Sequence, residues 1–566
     1  MSSYETNKNE KVTVEKIANL SDQQQAETIA NHFSAISNEY EAIKTNDIQL
    51  TKAHENIPKI EAHEVFEHLK SIKTNTSTVK GDIPAKLIKE YALELSDPMA
   101  DIINTMIIKG EYPNIWKLEM VTPVPKVFPP IEKTDLRKIS GLKNLSKVAE
   151  KIISIWMVND MKKDSSQYGN KKGTSVQHYL IKMLHEIHKA LDNNSKGDTM
   201  AVLANFLDWK QAFDCQCPVL GVKSFIRNGV RESLIPLLIN YFQDRQMIVK
   251  WRETESTPKR LNGGGPQGAT IGIIEYVSQV SNNTEFLGDN KKFKYIDDLS
   301  ILEVINLISI GLSTYNFKYH VADDIAIQNQ YIEPTNLQSQ NYLEKINSWT
   351  LENKMLLNKK KCKAMIFNFT KKYQFHTRLS IEDTIIEIIN ETKLLGVILT
   401  NDLTWNANTA YLVKKGHSRM RLLHKLTEFN VPLGDLIIIY ISFIRSICEQ
   451  SCTVWHSSLT EENSNDLERI QKVALKIILK NNYVSYENAL EKSELKTLKN
   501  RREELCLEFA KKCTKNENFS DLFPVKKVSN TRNEMSFEQT FANNVRFYDS
   551  AILHMQRLLN NYVSYY

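Results

Sequence analysis

The sequence lacks several features that define specialised classes of protein. Only seven of its 566 residues are cysteine, an odd number scattered along the chain, so it carries no disulfide framework and fits a reducing compartment. It has no basic segment followed by an apolar core near its start, and no apolar run approaches the roughly 18 residues that cross a bilayer. These absences predict an intracellular protein with no membrane partner.

A strong excess of charge is also absent. The 73 basic and 67 acidic residues give a formal net charge of +6, which permits nucleic-acid binding without requiring it. The length exceeds the roughly 250–300 residues at which a single hydrophobic core stops growing. Two to four domains are therefore expected.

Apolar runs and turn signals alternate along the chain. The first sixty or so residues are polar with a helical pattern, which predicts a helical arm. Residues 201–207 form a nearly continuous apolar run that ends at Asp208, as a buried strand would deliver a carboxylate to the edge of a sheet. Beyond about Trp405 the apolar residues recur with helical spacing almost to the end. The pattern predicts a mixed α and β chain with a helical C-terminal part.

Three short motifs carry candidate chemistry, and each is weak alone. Residues 208–214 (DWKQAFD) place a carboxylate at a predicted strand end, five residues before an aromatic ring. Residues 263–268 (GGGPQG) let the backbone approach a ligand closely and open a helix near Ala269. Residues 295–298 (YIDD) place two carboxylates at a predicted hairpin tip, although exposed Asp-Asp turns are common. Taken in this order, the combination is much more specific than its parts.

In this order the motifs resemble those of reverse transcriptases. Other segments extend the resemblance over roughly residues 81–480. They are similar to the fingers segments (116–126, 135–140 and 146–151), the next motif (167–175), the fourth palm motif (349–365) and the primer-grip region (394–397). The closing pattern over 440–471 resembles the thumb of jockey-like, LINE-type non-LTR retrotransposon enzymes. The resemblance implies an RNA-directed DNA polymerase that copies retrotransposon RNA into DNA.

The fold implied by this resemblance is an α+β right-hand polymerase. We expect a polar helical arm over residues 1–80, fingers over 81–200, a palm over 201–400, a helical thumb over 401–480 and a helical extension over 481–566, with the reverse transcriptase domain at about 110–400. The family usually carries an N-terminal endonuclease, for which the first eighty residues are too short. We therefore expect a truncated copy, or one product of a larger reading frame. The last 90 or so residues show no ribonuclease H pattern.

The resemblance assigns catalysis and metal binding to Asp208, Asp297 and Asp298. Nucleotide addition requires attack of a primer 3′-hydroxyl on an α-phosphate, and two metal ions about 3.5–4 Å apart stabilise the charge on the attacking and leaving oxygens. Magnesium prefers oxygen ligands and keeps several waters, so a few carboxylates suffice to bind it. Two Mg²⁺ ions are the expected cofactor, with Mn²⁺ as a substitute.

Five further residues match nucleotide-binding positions of the family. Phe213 stands where a bulky ring would clash with a ribose 2′-hydroxyl, and core packing is the alternative interpretation. Lys126 and Arg137 match finger positions that contact the triphosphate, where a lone basic residue would ordinarily be solvated. Gln267 and Gly268 would lie against the incoming base and the template.

Basic residues downstream have two interpretations each. Lys361 is expected at the nucleotide site, where it would protonate the departing pyrophosphate, although a surface lysine explains it equally well. Arg469, Lys472, Lys476 and Lys480 recur with helical spacing on one side of the predicted thumb helix. They predict phosphate contacts with the template–primer duplex, with solvated helix charge as the alternative.

Two other patterns imitate functional sites. Residues 323–324 form a second Asp-Asp pair, and we prefer 297–298 because a tyrosine precedes it and it lies closer to the glycine turn. Cys448, Cys452 and His456 stand four apart on one predicted helical face, but a closed zinc site needs a fourth ligand and none is evident.

Departures from the family pattern leave alternatives open. Residues 137–140 (RKIS) lack the proline of the usual RPIS sequence, and residues 271–276 differ from the usual continuation after the glycine turn. One alternative is a catalytically silent remnant that still binds RNA, and another is a cellular relative similar to intron maturases or telomerase.

An active enzyme would need an RNA template, a DNA primer, deoxynucleoside triphosphates and an endonuclease supplied by another chain. The family resemblance implies a nuclear or cytoplasmic ribonucleoprotein location.

Overall fold

The structure of the chain is a computed structural model with all side-chain atoms. It describes residues 12–50, 57–75, 79–192, 199–287, 291–307, 312–315, 330–334, 337–370, 373–375, 377–526 and 537–563.

Helices and strands alternate over the first two thirds of the chain, and helices alone follow residue 405 within the ranges described. The α-helices are α1 Asp22–Ser37, α2 Ala62–Lys70, α3 Ala85–Glu90, α4 Ala92–Lys109, α5 Asn144–Asp160, α6 Val176–Asp192, α7 Pro218–Arg227, α8 Ile235–Phe242, α9 Thr270–Gln279, α10 Gln338–Glu352, α11 Asn406–Glu428, α12 Leu433–Ile439, α13 Ser446–Cys448, α14 Cys452–Trp455, α15 Glu461–Leu479, α16 Tyr486–Ser493, α17 Leu498–Cys513, α18 Val545–Tyr548 and α19 Ala551–Val563. The strands are β1 Leu118–Pro125, β2 Leu136–Gly141, β3 Met200–Leu207, β4 Arg245–Trp251, β5 Thr254–Glu255, β6 Lys259–Leu261, β7 Lys291–Tyr295, β8 Asp298–Asn306, β9 Leu312–Tyr315, β10 Gln330–Pro334, β11 Lys363–Phe367, β12 Tyr373–Phe375, β13 Ser380–Ile381, β14 Thr384–Ile385, β15 Glu387–Ile388, β16 Glu391–Leu394 and β17 Val397–Thr400. The predicted mixed α+β class is confirmed.

The chain divides into two compact units, each built from separate stretches of sequence. The first unit contains residues 1–164, 209–286 and 346–357, and the second contains residues 165–208, 287–345 and 358–566. The boundaries expected at 80, 200, 400 and 480 follow the chain and stay a prediction. The compact units are discontinuous because strands distant in sequence pair with one another.

A sheet in the order β2-β1-β4-β5, with β6 also paired to β4, organises the first unit. Strands β1 and β2 form an antiparallel hairpin, whereas β1 and β4 run parallel. Helix α1 covers this sheet with Ala26, Ile29 and Phe33, which share a hydrophobic cluster with Val121 and Val249. Helix α1, which belongs to the segment predicted as a polar arm, is thus packed into the first unit.

Charged residues from three strands meet inside the first unit. Arg245 Nη2 lies 3.0 Å from Glu119 Oε1, and Lys138 Nζ lies 3.8 Å from Glu119 Oε2. Ser140 Oγ also donates to Glu119 at 2.7 Å. The exposed fraction of the three charged side chains is 4% or less. Charges buried this deeply require partners, so the pairs tie β1, β2 and β4 to one register.

The second unit is organised by a sheet in the order β15-β11-β3-β8-β7. Strand β3 lies at its centre and pairs antiparallel with both β8 and β11. Helix α6 packs Tyr179, Met183 and Ile187 into the hydrophobic core that also holds Val202 and Ala204 of β3. This confirms the buried strand that the apolar run at 201–207 predicted.

Helices α11 to α15 and α17 to α19 extend the core of the second unit. The described residues contain one helical stretch, Leu433–Ser458, with the length and apolar composition of a membrane span. A π-helical turn at Tyr440–Arg445 and a positive φ of 51° at Ser451 interrupt it. Its buried side chains, Tyr440 and Trp455 among them, pack in the core of the second unit. The buried part of this stretch therefore serves as a core helix of that unit.

Candidate active site

Three carboxylates gather at one end of the central strands of the second unit. Asp208 follows the last residue of β3, Asp298 begins β8, and Asp297 lies in the turn between β7 and β8. Leu207 pairs with Leu299 across the antiparallel ladder, so the register places Asp208 opposite Asp298. The sheet therefore brings together all three aspartates that the motifs predicted as catalytic.

The turn that carries Asp297 has a strained backbone. Ile296 has a φ of 56°, which is rare for a β-branched residue and is found where surrounding contacts enforce it. The side-chain oxygen of Gln167 accepts hydrogen bonds from the N–H groups of Ile296 at 3.0 Å and Gly169 at 2.8 Å. A Cβ at Gly169 would lie 2.6 Å from the Ile296 nitrogen. Residues 167–169 thus hold the hairpin tip in place.

The electrostatics of these aspartates favour a bound cation. Burial, together with the negative charges of Asp297 and Asp208, raises the pKa of Asp298 to about 7. Burial also raises the pKa of Asp208, against the opposing effects of Lys361 and of a hydrogen bond from Asn358. Carboxylates whose charges repel one another in a half-buried site are the ligand type that a divalent cation prefers.

The segment after α10 supplies the other groups around Asp208. Lys361 Nζ lies 3.8 Å from Asp208 Oδ2, and 71% of the lysine side chain is exposed. The backbone N–H of Asn358 donates to the Asp208 carbonyl at 2.8 Å. Motif matching identified Lys361 but missed Asn358 and Gln167 as contributors, because both act through hydrogen bonds that depend on tertiary structure.

The predicted nucleotide-binding residues other than Lys361 belong to the first unit. Arg137 pairs with Val124 on the β1–β2 hairpin, and side chains two apart on a strand share a face, so Lys126 and Arg137 lie on the same exposed face. The Lys126 ammonium donates to the Thr134 carbonyl at 2.9 Å. The hairpin thus brings two of the predicted phosphate contacts together.

The segment containing Phe213 is joined to the glycine turn. The Gln267 amide donates to the two carboxylate oxygens of Asp214 at 3.2 and 3.3 Å. The ring of Phe213 lies 5.2 Å from the buried ring of Tyr276, centre to centre. Gly268 has a φ of 128°, a conformation that glycine adopts readily. These contacts place Phe213, Gln267 and Gly268 on two segments that are bonded to each other.

The predicted thumb residues lie on and just beyond α15. Arg469, Lys472 and Lys476 are exposed on this helix, and Arg469 pairs with Asp466 at 3.1 Å. Lys472 and Lys476 lie over the rings of Tyr486 and Tyr483. Lys480 follows the last residue of α15 and donates to the Thr427 carbonyl. Their role in binding nucleic acid stays a prediction.

The cysteines and the histidine of the candidate zinc pattern have different surroundings in the structure. Cys448 and Cys452 are buried, and burial raises the pKa of both thiols to about 12, whereas His456 contacts Glu503 at 2.8 Å. His554 also lies 3.2 Å from Glu503, so His456, Glu503 and His554 could share a metal ion.

The protonation of His456 opposes metal binding at this cluster. Arg502 Nε donates to His456 Nδ1 at 3.3 Å, so the ring proton is on Nε2, the nitrogen that a metal would need. The cluster is therefore a hydrogen-bonded network. The second Asp-Asp pair, at 323–324, lies outside the described residues.

Comparison with known proteins agrees with the family resemblance. No protein-family model matches the chain. A probable RNA-directed DNA polymerase from transposon BS of Drosophila melanogaster is 22% identical over 475 residues, which cover 81% of this chain and 49% of that protein. The corresponding protein from the Drosophila melanogaster transposon X-element is 21% identical over 389 residues, which cover 66% and 39%. The chain is related to transposon reverse transcriptases. It spans half or less of the length of these curated relatives.

Two solved telomerase structures show a more distant likeness. Apo telomerase from Candida tropicalis, truncated from its C-terminal domain, has a TM-score of 0.33 and 12% identity, with 58% of this chain and 62% of that chain covered. Telomerase from Candida albicans in complex with a TWJ fragment of telomeric RNA also has a TM-score of 0.33, with 11% identity and coverage of 75% and 69%.

Proposed function

We propose that the chain is an RNA-directed DNA polymerase that copies the RNA of a non-LTR retrotransposon into DNA. The observation that carries the proposal is the meeting of Asp208, Asp297 and Asp298 at one end of the β3–β8–β7 sheet, where burial and mutual repulsion raise the pKa of Asp298 to about 7. The relationship to the curated transposon polymerases supports the same activity.

The aspartates fit the cofactor that such a reaction needs. Asp208, Asp297 and Asp298 would hold two Mg²⁺ ions, or Mn²⁺ in their place, because hard divalent cations bind carboxylate oxygens. When bound, the ions supply stabilisation of the charge that builds on the attacking and leaving oxygens. Repulsion among the three carboxylates is the feature of this structure that a cation would relieve.

Other predicted residues would serve the rest of the reaction. Lys361 is exposed beside Asp208 and would donate a proton to the leaving pyrophosphate. In the first unit, Lys126 and Arg137 would bind triphosphate oxygens, and Phe213 would reject a ribose 2′-hydroxyl. The exposed basic face of α15 would contact the phosphates of the template–primer duplex.

The proposed partners follow from this chemistry. They are an RNA template, a DNA primer and deoxynucleoside triphosphates, with the primer end nicked by an endonuclease on another chain. The site of action would be the nucleus or a cytoplasmic ribonucleoprotein.

Primer extension by the purified chain tests the proposal. The assay uses an oligonucleotide-primed RNA template with Mg²⁺ and deoxynucleotides, and it compares the wild type with Asp297→Asn and with Asp383→Asn, a matched change at an exposed position. We expect incorporation by the wild type and Asp383→Asn, and none by Asp297→Asn. Template binding without incorporation by the wild type would contradict the proposal and support a silent RNA-binding remnant.

A further inference from the structure

Helix α1 reaches the glycine turn of the first unit through the hydroxyl of Ser37. Ser37 Oγ accepts from the backbone N–H groups of Asn262 at 2.8 Å and Gly263 at 2.9 Å, and it donates to the Gly263 carbonyl at 2.8 Å. A serine hydroxyl has one proton and two lone pairs, so these contacts use its full capacity. Ser37 is 3% exposed, and water therefore offers little competition for the bonds.

Tyr40, just beyond α1, contacts two neighbouring segments. Its hydroxyl donates to the Cys215 carbonyl at 2.9 Å and lies 3.3 Å from the Lys354 carbonyl. Its ring packs on the turn so closely that a Cβ at Gly263 would lie 2.5 Å from the ring. Burial raises the pKa of Tyr40, so the hydroxyl keeps the proton that it donates. Tyr40 thus fixes the turn on one side and the segment after Asp214 on the other.

The glycine turn in turn holds the segment that carries Phe213. The N–H of Gly264 donates to the Gln216 carbonyl at 2.8 Å, and the N–H of Gly265 donates to the Phe213 carbonyl at 2.9 Å. Three consecutive glycines lose more conformational freedom on ordering than other residues, so this turn depends on its neighbours for a fixed shape. Ser37 and Tyr40 supply that constraint.

We infer that Ser37 and Tyr40 are positioning residues for the nucleotide site. By fixing the glycine turn and the segment 213–216, they set where Phe213 and Gln267 stand, and so control deoxynucleotide affinity and rejection of ribonucleotides. The inference rests on the proposed polymerase function. It gives the N-terminal helix a role in substrate selection that the sequence motifs do not assign.

Docking of α1 alone does not explain these contacts. Ala26, Ile29 and Phe33 already bury the helix in the hydrophobic cluster over the sheet, one or more turns away from Ser37. Loss of the Ser37 or Tyr40 hydroxyl would leave those apolar contacts in place. The helix would stay docked while the turn became less ordered.

Single-atom variants separate positioning from structural support. Ser37→Ala and Tyr40→Phe each remove one hydroxyl. Ser34→Ala is the matched control, since Ser34 lies buried on the same helix and its hydroxyl bonds only to the Asn31 carbonyl among the contacts described. For each variant we would measure kcat and KM for deoxynucleotide and ribonucleotide incorporation on a primed RNA template. Hydrogen exchange at residues 262–265 and the melting temperature would be measured alongside.

The expected result is a change in KM with little change in kcat. Loss of a hydrogen bond worth roughly 0.5–1.5 kcal/mol would raise KM for deoxynucleotides about 2- to 10-fold in Ser37→Ala and Tyr40→Phe and reduce discrimination against ribonucleotides. Exchange at 262–265 would rise, while Ser34→Ala would match the wild type in every readout. An active wild type with unchanged KM in both variants would overturn the inference. An inactive wild type would refute the polymerase itself, and this inference with it.

Discussion

Glu119 in the first unit and the three aspartates in the second unit have opposite electrostatic surroundings. In the first unit Glu119 is buried between Arg245 and Lys138, and although burial acts to raise its pKa, these two cations hold the pKa below its usual value. In the second unit Asp208, Asp297 and Asp298 lie near one another, Lys361 lies 3.8 Å from Asp208, and the pKa of Asp298 rises to about 7. Paired charge stabilises a fold, whereas carboxylate charge that repels its neighbours marks a place for a ligand. The variants below test this contrast.

The largest expected effect is on stability in the first unit. Glu119→Gln leaves Arg245 and Lys138 buried without their carboxylate, which should lower the free energy of unfolding by about 3–5 kcal/mol. Thermal or urea unfolding measures this loss, and Glu111→Gln, at an exposed position, is the matched control. Equal stability of the two variants would show that the Glu119 pairs are not structural.

Asp298→Asn should lower the activity of the chain and raise its stability in the absence of metal. Loss of a metal ligand removes several kcal/mol of transition-state stabilisation, so the rate of nucleotide incorporation should fall about 10³-fold. Because the pKa of Asp298 is raised in the folded chain, its ionised form destabilises the fold progressively as the pH rises from about 4 through 7. In metal-free buffer at pH 8 the variant should therefore melt at a higher temperature than the wild type. A lower melting temperature of the variant would show that Asp298, like Glu119, stabilises the fold.

Glu275 extends the comparison to a buried carboxyl whose pKa burial raises against the opposing charge of Arg245. Both of its oxygens are buried without a hydrogen-bond partner among the described residues, and burial raises its pKa to about 8. A raised pKa contributes stability that is present below about pH 4.5 and is lost as the pH rises through 8. Glu275→Gln should remove this pH dependence, which is on the order of 3 kcal/mol. If the stability of the wild type and of the variant changed equally from pH 5 to 8, the effect would be excluded.

Lys361 should affect rate without affecting stability. The lysine is largely exposed and 3.8 Å from Asp208, so this ion pair adds little to folding. If Lys361 protonates the leaving pyrophosphate, Lys361→Gln should slow incorporation about 10²-fold, the lower range for general acid catalysis. Single-turnover kinetics measure this step, with the exposed Lys360→Gln as control. Identical rates for both variants would assign Lys361 to the solvated surface.

Local patterns predicted the elements that carry the chemistry. The apolar run at 201–207 predicted β3, the YIDD sequence predicted the β7–β8 hairpin, and the glycine turn predicted the start of α9 near Ala269. Each signal lies within a short stretch, because an apolar run or a turn residue acts through neighbouring positions. Together with the family resemblance, these signals located the three aspartates before the fold was known.

Contacts between distant segments could not be predicted in this way. The Glu119 network joins residues 119, 138 and 245, and only the register of β1 against β2 and β4 brings them together. Gln167 and Ser37 act on turns more than one hundred residues away, and no local pattern signals such a pairing. The same limit applies to the candidate zinc pattern. The spacing of its residues along the chain did not reveal that Arg502 bonds to His456.

Binding of Mn²⁺ to the purified chain tests the central contrast most directly. Titration followed by electron paramagnetic resonance would compare the wild type with Asp208→Asn, Asp297→Asn and the exposed control Asp383→Asn. We expect saturable binding in the wild type and the control, and binding at least tenfold weaker in Asp208→Asn and Asp297→Asn. Equal binding in all four proteins would contradict it, because the aspartates at the end of β3 and in the β7–β8 hairpin would then not be the cation site.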